Sequence, residues 1–99
     1  MRVISRPALR KFCETHADAC NALDDWYRFT IKAEWKNLLD VQQTYPSAEA
    51  VGNFTVFNIK GNNYRLIVDI VYTAQKVYIK HVLTHAEYDK EKWKNDPYF

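Results

Sequence analysis

The chain has 99 residues, with 14 Lys and Arg against 12 Asp and Glu, and a formal net charge of +2. This length accommodates a single domain spanning residues 1–99, and a composition of 47% hydrophobic and 15% aromatic residues excludes a disordered chain. The nearly balanced charge excludes binding to nucleic acid through bulk positive charge, so any such binding has to rest on individually placed residues.

No segment has the composition of a membrane span or of a signal peptide. No apolar run approaches the roughly 20 residues that cross a bilayer, and residues 1–7 lack an apolar targeting stretch. We therefore expect a cytoplasmic protein with no membrane partner. Cys13 and Cys20 form no CxxC motif and are too few for a disulfide framework, so we expect both to be reduced.

The N-terminal half predicts one short strand followed by helices. Residues 2–4 favour a strand, and Pro7 suits the first turn of a helix because its missing N–H is not needed there. A longer helix is predicted over about residues 19–36, where a stripe at helical spacing is formed by Leu23, Trp26, Tyr27 and Thr30. A further short helical turn is predicted around residues 38–41.

From Phe54 onwards the hydrophobic period changes from 3.6 to 2. This pattern predicts three strands joined by two tight turns, over residues 55–60, 64–72 and 77–84. A strand, then helices, then an antiparallel meander predicts an α+β fold in which N-terminal helices pack on a small antiparallel sheet. The segment from His85 to Phe99 is mostly polar.

Two-residue loops at Gly61-Asn62 and Ala74-Gln75 set a register that decides which side chains of the meander share a face. In that register one face is apolar and packs on the helices, with Phe57, Ile59, Tyr64, Leu66, Val68, Ile70, Val77, Ile79, His81 and Leu83. The other face is half polar and carries Asn58, Lys60, Arg65, Asp69, Lys80 and Thr84.

Arg65 is the candidate phosphate ligand on the polar face. In the predicted register Asp69 lies opposite Lys80 and pairs with it. Arg65 lies opposite Asn58 and Thr84, and neither of these is acidic. A strand arginine without a carboxylate in register can use its guanidinium to bind a phosphate. The alternative is a surface arginine whose stem covers apolar neighbours.

His85 and Tyr88 lie where the last strand is predicted to become a loop. An imidazole with an ordinary pKa of about 6.5 can give or take a proton at neutral pH. Tyr88 can orient a nucleotide, stack on a base or assist proton transfer. A surface histidine and a packing tyrosine are the alternatives. The sequence contains no HExxH, Walker A, GxGxxG or GxSxG motif, so we expect neither a metal nor another cofactor.

Three blocks of the C-terminal half carry a family resemblance. They are FNIKGNNYRL at residues 57–66, VYIK at residues 77–80 and THAEYD at residues 84–89. Together with AEW at residues 33–35 and YPSA at residues 45–48, they resemble the HigB-type toxins of the RelE superfamily. The resemblance covers nearly the whole chain.

This resemblance implies a compact RelE-like α+β fold and the toxin half of a type II toxin–antitoxin pair. Such a toxin is an endoribonuclease, or mRNA interferase, that cuts mRNA on translating ribosomes without a metal. The substrate's 2′-hydroxyl attacks the adjacent phosphate, which leaves a cyclic phosphate and a free 5′-hydroxyl. The implied partners are mRNA, the ribosome and an antitoxin of the helix-turn-helix DNA-binding type.

By the same resemblance, Arg65 matches the strand arginine that contacts the scissile phosphate. His85 and Tyr88 match the family's positions at the end of the last strand. We expect Arg65 to stabilise charge on the phosphate, His85 to act as general acid or base, and Tyr88 to orient the substrate or assist proton transfer. Contacts with the RNA backbone are expected from Lys60, Asn62 and Lys80.

Two alternatives to an active ribonuclease remain open at the level of sequence. One is a non-enzymatic interaction module whose exposed aromatic side chains, Trp93 and Tyr98 included, dock a partner protein. The other is an inactive toxin that only binds its antitoxin. Two lysines that RelE carries before the Tyr-Arg-Leu block are here replaced by Val56 and Asn58, at approximate positions, so the identity of the general base is left open.

Overall fold

Four helices and five strands make up the fold in a computed structural model that describes residues 1–99. In chain order they are β1 (Arg2–Ile4), α1 (Pro7–Thr15), α2 (Cys20–Lys32), α3 (Leu38–Thr44), β2 (Glu49–Val51), β3 (Phe54–Ile59), β4 (Tyr64–Val71), β5 (Lys76–Thr84) and α4 (His85–Asp89). Short 3₁₀ turns follow α1 at Ala17–Ala19 and α4 at Lys92–Asn95. The predicted α+β class is confirmed, and β2 and α4 are elements that were not predicted.

The five strands form one sheet in the order β1-β5-β4-β3-β2. Strands β3, β4 and β5 form the predicted antiparallel meander, and β2 pairs antiparallel with β3. The sheet is antiparallel as predicted in three of its four strand pairs, and only the edge strand β1 lies parallel to its neighbour β5. A parallel pair needs a long connection between its strands, and the helices and the rest of the meander supply it here.

The helices cover one face of the sheet and enclose the main core. In α2 the buried side chains are Leu23, Trp26 and Thr30, as the helical spacing predicts, and the Trp26 ring packs edge-on against Phe57 of β3 with centroids 5.6 Å apart. Burial of each large apolar side chain in this layer stabilises the fold by roughly 1.5–3 kcal/mol. None of the four helices has both the length and the apolar character needed to cross a membrane.

The register between β3 and β4 is confirmed, with Asn58 opposite Arg65, but the register between β4 and β5 is not. Asp69 lies opposite Tyr78 instead of Lys80. The reason is the connecting loop, which spans residues 72–75 instead of two residues and contains Gln75 at a positive φ of 55°. The predicted ion pair between Asp69 and Lys80 is consequently not formed, and Lys80 pairs with Asp96.

A β-bulge in β5 reverses the faces of the last residues of that strand. It leaves Lys80 as an extra residue between two cross-strand pairs, Ile67–His81 and Val68–Ile79. Beyond the bulge, Val82 packs on the helical side and Leu83 on the opposite side, the reverse of the prediction. His81 changes face in the same way and bonds to Asp96. Arg65 therefore lies opposite Leu83 and not Thr84.

Residues 85–99, named the C-terminal segment from here on, fold back over the sheet face that carries no other helix. Trp93 is only 4% exposed and lies in a second apolar cluster with Phe54, Val56 and Ile67. The Phe99 ring packs edge-on against Trp93, with centroids 5.4 Å apart. The polar face predicted from the register is thus covered at its centre. Trp93 is not the exposed docking residue of the alternative interpretation, whereas Tyr98 is exposed.

Candidate active site

Arg65, at the start of β4, carries a nearly buried positive charge whose partners are all neutral. The residue is 8% exposed. Its Nη1 donates hydrogen bonds to the carbonyl oxygens of Asn62 (3.2 Å) and Tyr64 (3.1 Å), and its Nη2 donates to Oδ1 of Asn62. No carboxylate forms an ion pair with it. A guanidinium has five N–H donors, so this one retains donors and charge for an anionic ligand.

Asn62 was predicted to contact RNA. Within the chain it accepts hydrogen bonds from the Arg65 guanidinium and so fixes the position of that side chain. It lies in the loop between β3 and β4, where Gly61 has a φ of 63° that other residues rarely adopt. This turn brings both the backbone oxygen and the side-chain oxygen of Asn62 to the guanidinium. The side-chain amide nitrogen of Asn62 has no partner in the chain and can still donate to a ligand.

His85 is the first residue of α4, and not a loop residue as predicted. The helix begins with a capping box, in which the Thr84 hydroxyl accepts from the Glu87 backbone (3.2 Å) and the Glu87 carboxylate accepts from the Thr84 backbone (3.0 Å). The His85 backbone N–H donates to the carbonyl of Asn63, which ties α4 to the loop that holds Arg65. Nδ1 of His85 lies 2.9 Å from the Asp89 carboxylate, which leaves Nε2 available for proton transfer.

Tyr88, one turn further along α4, lies beside the guanidinium. The Arg65 Cζ atom is 5.4 Å from the centroid of the Tyr88 ring, within range of a cation–π contact. The Tyr88 ring also stacks on Trp93, with centroids 5.2 Å apart. Burial raises the pKa of the Tyr88 phenol above its ordinary value, so the group is protonated at neutral pH and can donate a hydrogen bond.

Lys60 and Lys80 were both predicted on the face of Arg65, and the structure places Lys80 there but not Lys60. Lys60 has a positive φ of 50°, and its Nζ bonds to Asp18 (3.2 Å), which also accepts from the Tyr64 hydroxyl on the helical side. The hydrogen bonds from Tyr64 and from Lys60 lower the pKa of Asp18, so its carboxylate stays charged and remains paired with Lys60. Lys80 is on the face of Arg65, but its Nζ lies 3.7 Å from Asp96, further along the sheet.

The arrangement therefore joins Arg65, His85 and Tyr88 at one end of the sheet and adds Asp89, which the sequence analysis missed. The capping-box spacing of Thr84 and Glu87 is a recognisable sequence signal for α4, and the helix would have placed His85 and Asp89 one turn apart. A buried cation, an imidazole and a phenol can bind a phosphodiester and move a proton. No group of three or more His, Cys, Asp or Glu side chains is placed to hold a metal ion.

Comparison with known proteins finds one family along most of the chain. Residues 19–91 match the family model of the HigB toxin, described as the RelE-like toxic component of a toxin–antitoxin system. The chain is 25% identical over 93 residues to the mRNA interferase HigB of Escherichia coli O6:H1, which covers 91% of this chain and 90% of that protein. It is 28% identical over 92 residues to the mRNA interferase toxin HigB of Escherichia coli K12, and the aligned residues cover 90% of this chain and 88% of that protein. The mRNA interferase HigB of Shigella flexneri matches to the same extent.

Proposed function

Because the chain belongs to the HigB family of RelE-like toxins, we propose that it is an endoribonuclease that cleaves mRNA. The observation that carries the proposal is the state of Arg65. An almost buried guanidinium that bonds only to neutral oxygens costs folding free energy, and a phosphate is the ligand that would offset this cost. We therefore assign Arg65 to the scissile phosphate.

In the proposed reaction the 2′-hydroxyl of the substrate attacks the adjacent phosphorus. The bond to the 5′-oxygen breaks, which leaves a 2′,3′-cyclic phosphate and a free 5′-hydroxyl. Negative charge builds up on the non-bridging oxygens of the pentavalent phosphate, and the free N–H groups of Arg65 stabilise it there. The balance of the step requires only that one proton leaves the 2′-oxygen and one reaches the 5′-oxygen.

His85 and Tyr88 are assigned to the protons. Nδ1 of the imidazole faces Asp89, so we assign the other ring nitrogen, Nε2, to act as general acid or base. The Tyr88 phenol stays protonated, so its role is to donate a hydrogen bond to the phosphate or to the leaving oxygen. Much of the rate would come from positioning, because the site has few titratable groups.

RNA contacts outside the reacting phosphate are assigned to Asn62, Lys60 and Lys80. Asn62 has its amide nitrogen free beside Arg65. Lys60 is half-exposed and its ammonium is paired with the Asp18 carboxylate, so we expect its contribution to RNA binding to be smaller. These few contacts, with a net charge of only +2, favour a substrate that is presented by the ribosome over free RNA captured by charge.

The partner of the toxin is an antitoxin, as the family implies. We further assign to that antitoxin a helix-turn-helix DNA-binding fold, as in other pairs of this type. An enzyme that acts on mRNA at the ribosome finds the mRNA and the ribosome in the cytoplasm, so we propose a cytoplasmic location.

Substitution of Arg65 tests the proposal. Arg65→Ala removes the donors to the phosphate and is expected to lower the rate of mRNA cleavage by about a hundredfold to a thousandfold, with loss of toxicity on induced expression. Arg65→Lys keeps the charge but not the planar fork, so most of the activity should still be lost. The readouts are growth after induction and sequencing of the cut RNA ends.

Arg28→Ala is the matched control, because Arg28 is an exposed arginine of α2 paired with Asp24 and Asp25, away from the site. It should be as toxic as the wild type. Thermal unfolding of each variant shows whether the fold is intact. Toxicity and mRNA loss unchanged in a folded Arg65→Ala variant would exclude Arg65 from the reaction.

A further inference from the structure

An open cavity of about 360 Å³ lies on the same face of the sheet as Arg65, beside the covering C-terminal segment. It is lined by four residues from three separate segments of the chain, namely Asp69, Tyr78, Lys80 and Tyr98. Asp69 and Tyr78 are cross-strand neighbours of β4 and β5, and Lys80 is the bulge residue. Tyr98 reaches the cavity from the C-terminal segment.

Most polar groups of this cavity have no partner within the chain. The Asp69 carboxylate forms no ion pair, and the hydroxyls of Tyr78 and Tyr98 form no hydrogen bond. The Tyr98 residue is 67% exposed although its backbone N–H is fixed by Asp96 at 2.9 Å. The Lys80 ammonium lies 4.4 Å from the centroid of the Tyr98 ring. An exposed ring, a cation and a free carboxylate thus surround one small open space.

This combination fits a base of single-stranded RNA. Aromatic rings that are exposed and held in place provide stacking surfaces for bases, and a neighbouring lysine contacts the phosphate. The carboxylate of Asp69 only accepts hydrogen bonds. On the Watson–Crick edge, guanine alone presents two adjacent N–H groups, at N1 and N2, whereas the other bases place an acceptor next to their donor. The chemistry of the cavity therefore favours guanine.

We propose that this cavity is a subsite that binds a guanine base of the RNA whose phosphate lies at Arg65. It rests on the proposed function, because it takes Arg65 as the position of the cleaved bond. Lys80 precedes Leu83, the cross-strand neighbour of Arg65, by three residues, which is about 10 Å along a strand. A short single strand spans that distance over the surface of the C-terminal segment. The subsite gives the toxin a base preference that its own residues set.

Binding of short RNA oligonucleotides to the full-length protein tests the subsite. Probes with 2′-O-methyl groups at every position lack the attacking hydroxyl, and two such probes differ only in a guanine or an adenine at one position. The wild type should bind the guanine probe more tightly. Tyr98→Ala should weaken that binding about tenfold, the size of one stacking contact, while Tyr98→Phe keeps the ring and binds like the wild type. Asp69→Asn should bring the two probes to nearly equal affinity.

Phe29→Ala is the matched control, because Phe29 is an exposed aromatic residue on α2 and should not affect binding. Equal binding of the two probes by the wild type, or unchanged binding by Tyr98→Ala, would overturn the subsite. Arg65→Ala separates the two proposals. This variant should lose cleavage yet keep the ratio of the two affinities. If it still cleaves, the catalytic assignment of Arg65 is wrong, and the ratio of the two affinities still tests whether the cavity binds guanine.

Discussion

The surroundings of Arg65 could be predicted from the sequence only in part. The sequence predicts no carboxylate beside it, and the structure confirms this even though its neighbour on β5 is Leu83 and not Thr84. Its burial could not be predicted. Tyr88, which lies beside the guanidinium, and Trp93, which stacks on Tyr88, come from the C-terminal segment. The polar composition of that segment has no periodicity that would place it on the sheet.

The pairing of His85 with Asp89 gives a prediction at the scale of single residues. The carboxylate holds the imidazole through Nδ1, but both side chains are partly exposed, so the pair is worth at most about 1 kcal/mol. Asp89→Asn should therefore lower the cleavage rate by no more than about fivefold. His85→Ala should cause a much larger loss.

A double-mutant cycle checks the coupling. In the His85→Ala background, Asp89→Asn should have no further effect, because the carboxylate acts only through the imidazole. Independent, additive losses in the cycle would show that Asp89 contributes in another way. Cleavage of one defined RNA by purified variants is the measurement.

Among the elements, those with a long clear period were predicted, as were the short β1 and α3, whereas β2, α4 and the bulge in β5 were not. Helix α2 and strands β3 and β4 follow their periods without interruption. Strand β2 has three residues, too few for a period of 2 to show. The bulge at Lys80 involves no glycine or proline, so no local signal marks it, yet it reverses the faces of every later residue in β5.

Helix α4 supports a prediction at the scale of an element. It has five residues, too few to be stable alone, and its capping box supplies hydrogen bonds at its first turn. Thr84→Ala should cost about 1 kcal/mol of unfolding free energy and should also lower cleavage, because α4 carries both His85 and Tyr88. Thr84→Ser keeps the accepting oxygen and should restore both properties.

Urea unfolding and cleavage of a defined RNA measure the two effects side by side. A Thr84→Ala variant that loses stability but cleaves at the wild-type rate would show that the start of α4 does not position the proposed catalytic groups. A variant that changes neither property would show that the capping box contributes nothing measurable.

On the scale of the whole molecule, the sheet separates two layers that are held together in different ways. The helices and the inner face of the meander form a core that the hydrophobic pattern predicts. The outer layer depends on the C-terminal segment, which is held by Trp93 in the apolar cluster and by Asp96 at the sheet. The candidate site and the proposed base subsite both lie at the margins of this layer, so its attachment bears on function as well as stability.

Asp96 provides the test of that attachment. Its carboxylate accepts from the Tyr98 backbone and lies near Lys80 (3.7 Å) and His81 (3.2 Å), and these contacts, the backbone bond first, lower the pKa of Asp96 below its ordinary value. A lowered pKa in the folded state means that the contribution to stability is present above the ordinary value of 3.8 and is lost as the pH falls through the folded value. Asp96→Asn should therefore reduce the unfolding free energy by about 1–3 kcal/mol at neutral pH.

The difference between wild type and Asp96→Asn should shrink as the pH is lowered below 3.8, because the wild-type carboxyl then becomes protonated and loses its charge as well. Intrinsic fluorescence should show a more exposed Trp93 in the variant at neutral pH, since the tryptophan loses the anchor three residues further along the chain. Asp24→Asn, on the exposed face of α2, serves as the control for the removal of one negative charge. If the stability difference stayed constant down to acid pH, packing of the C-terminal segment and not the charge of Asp96 would be what holds this layer on the sheet.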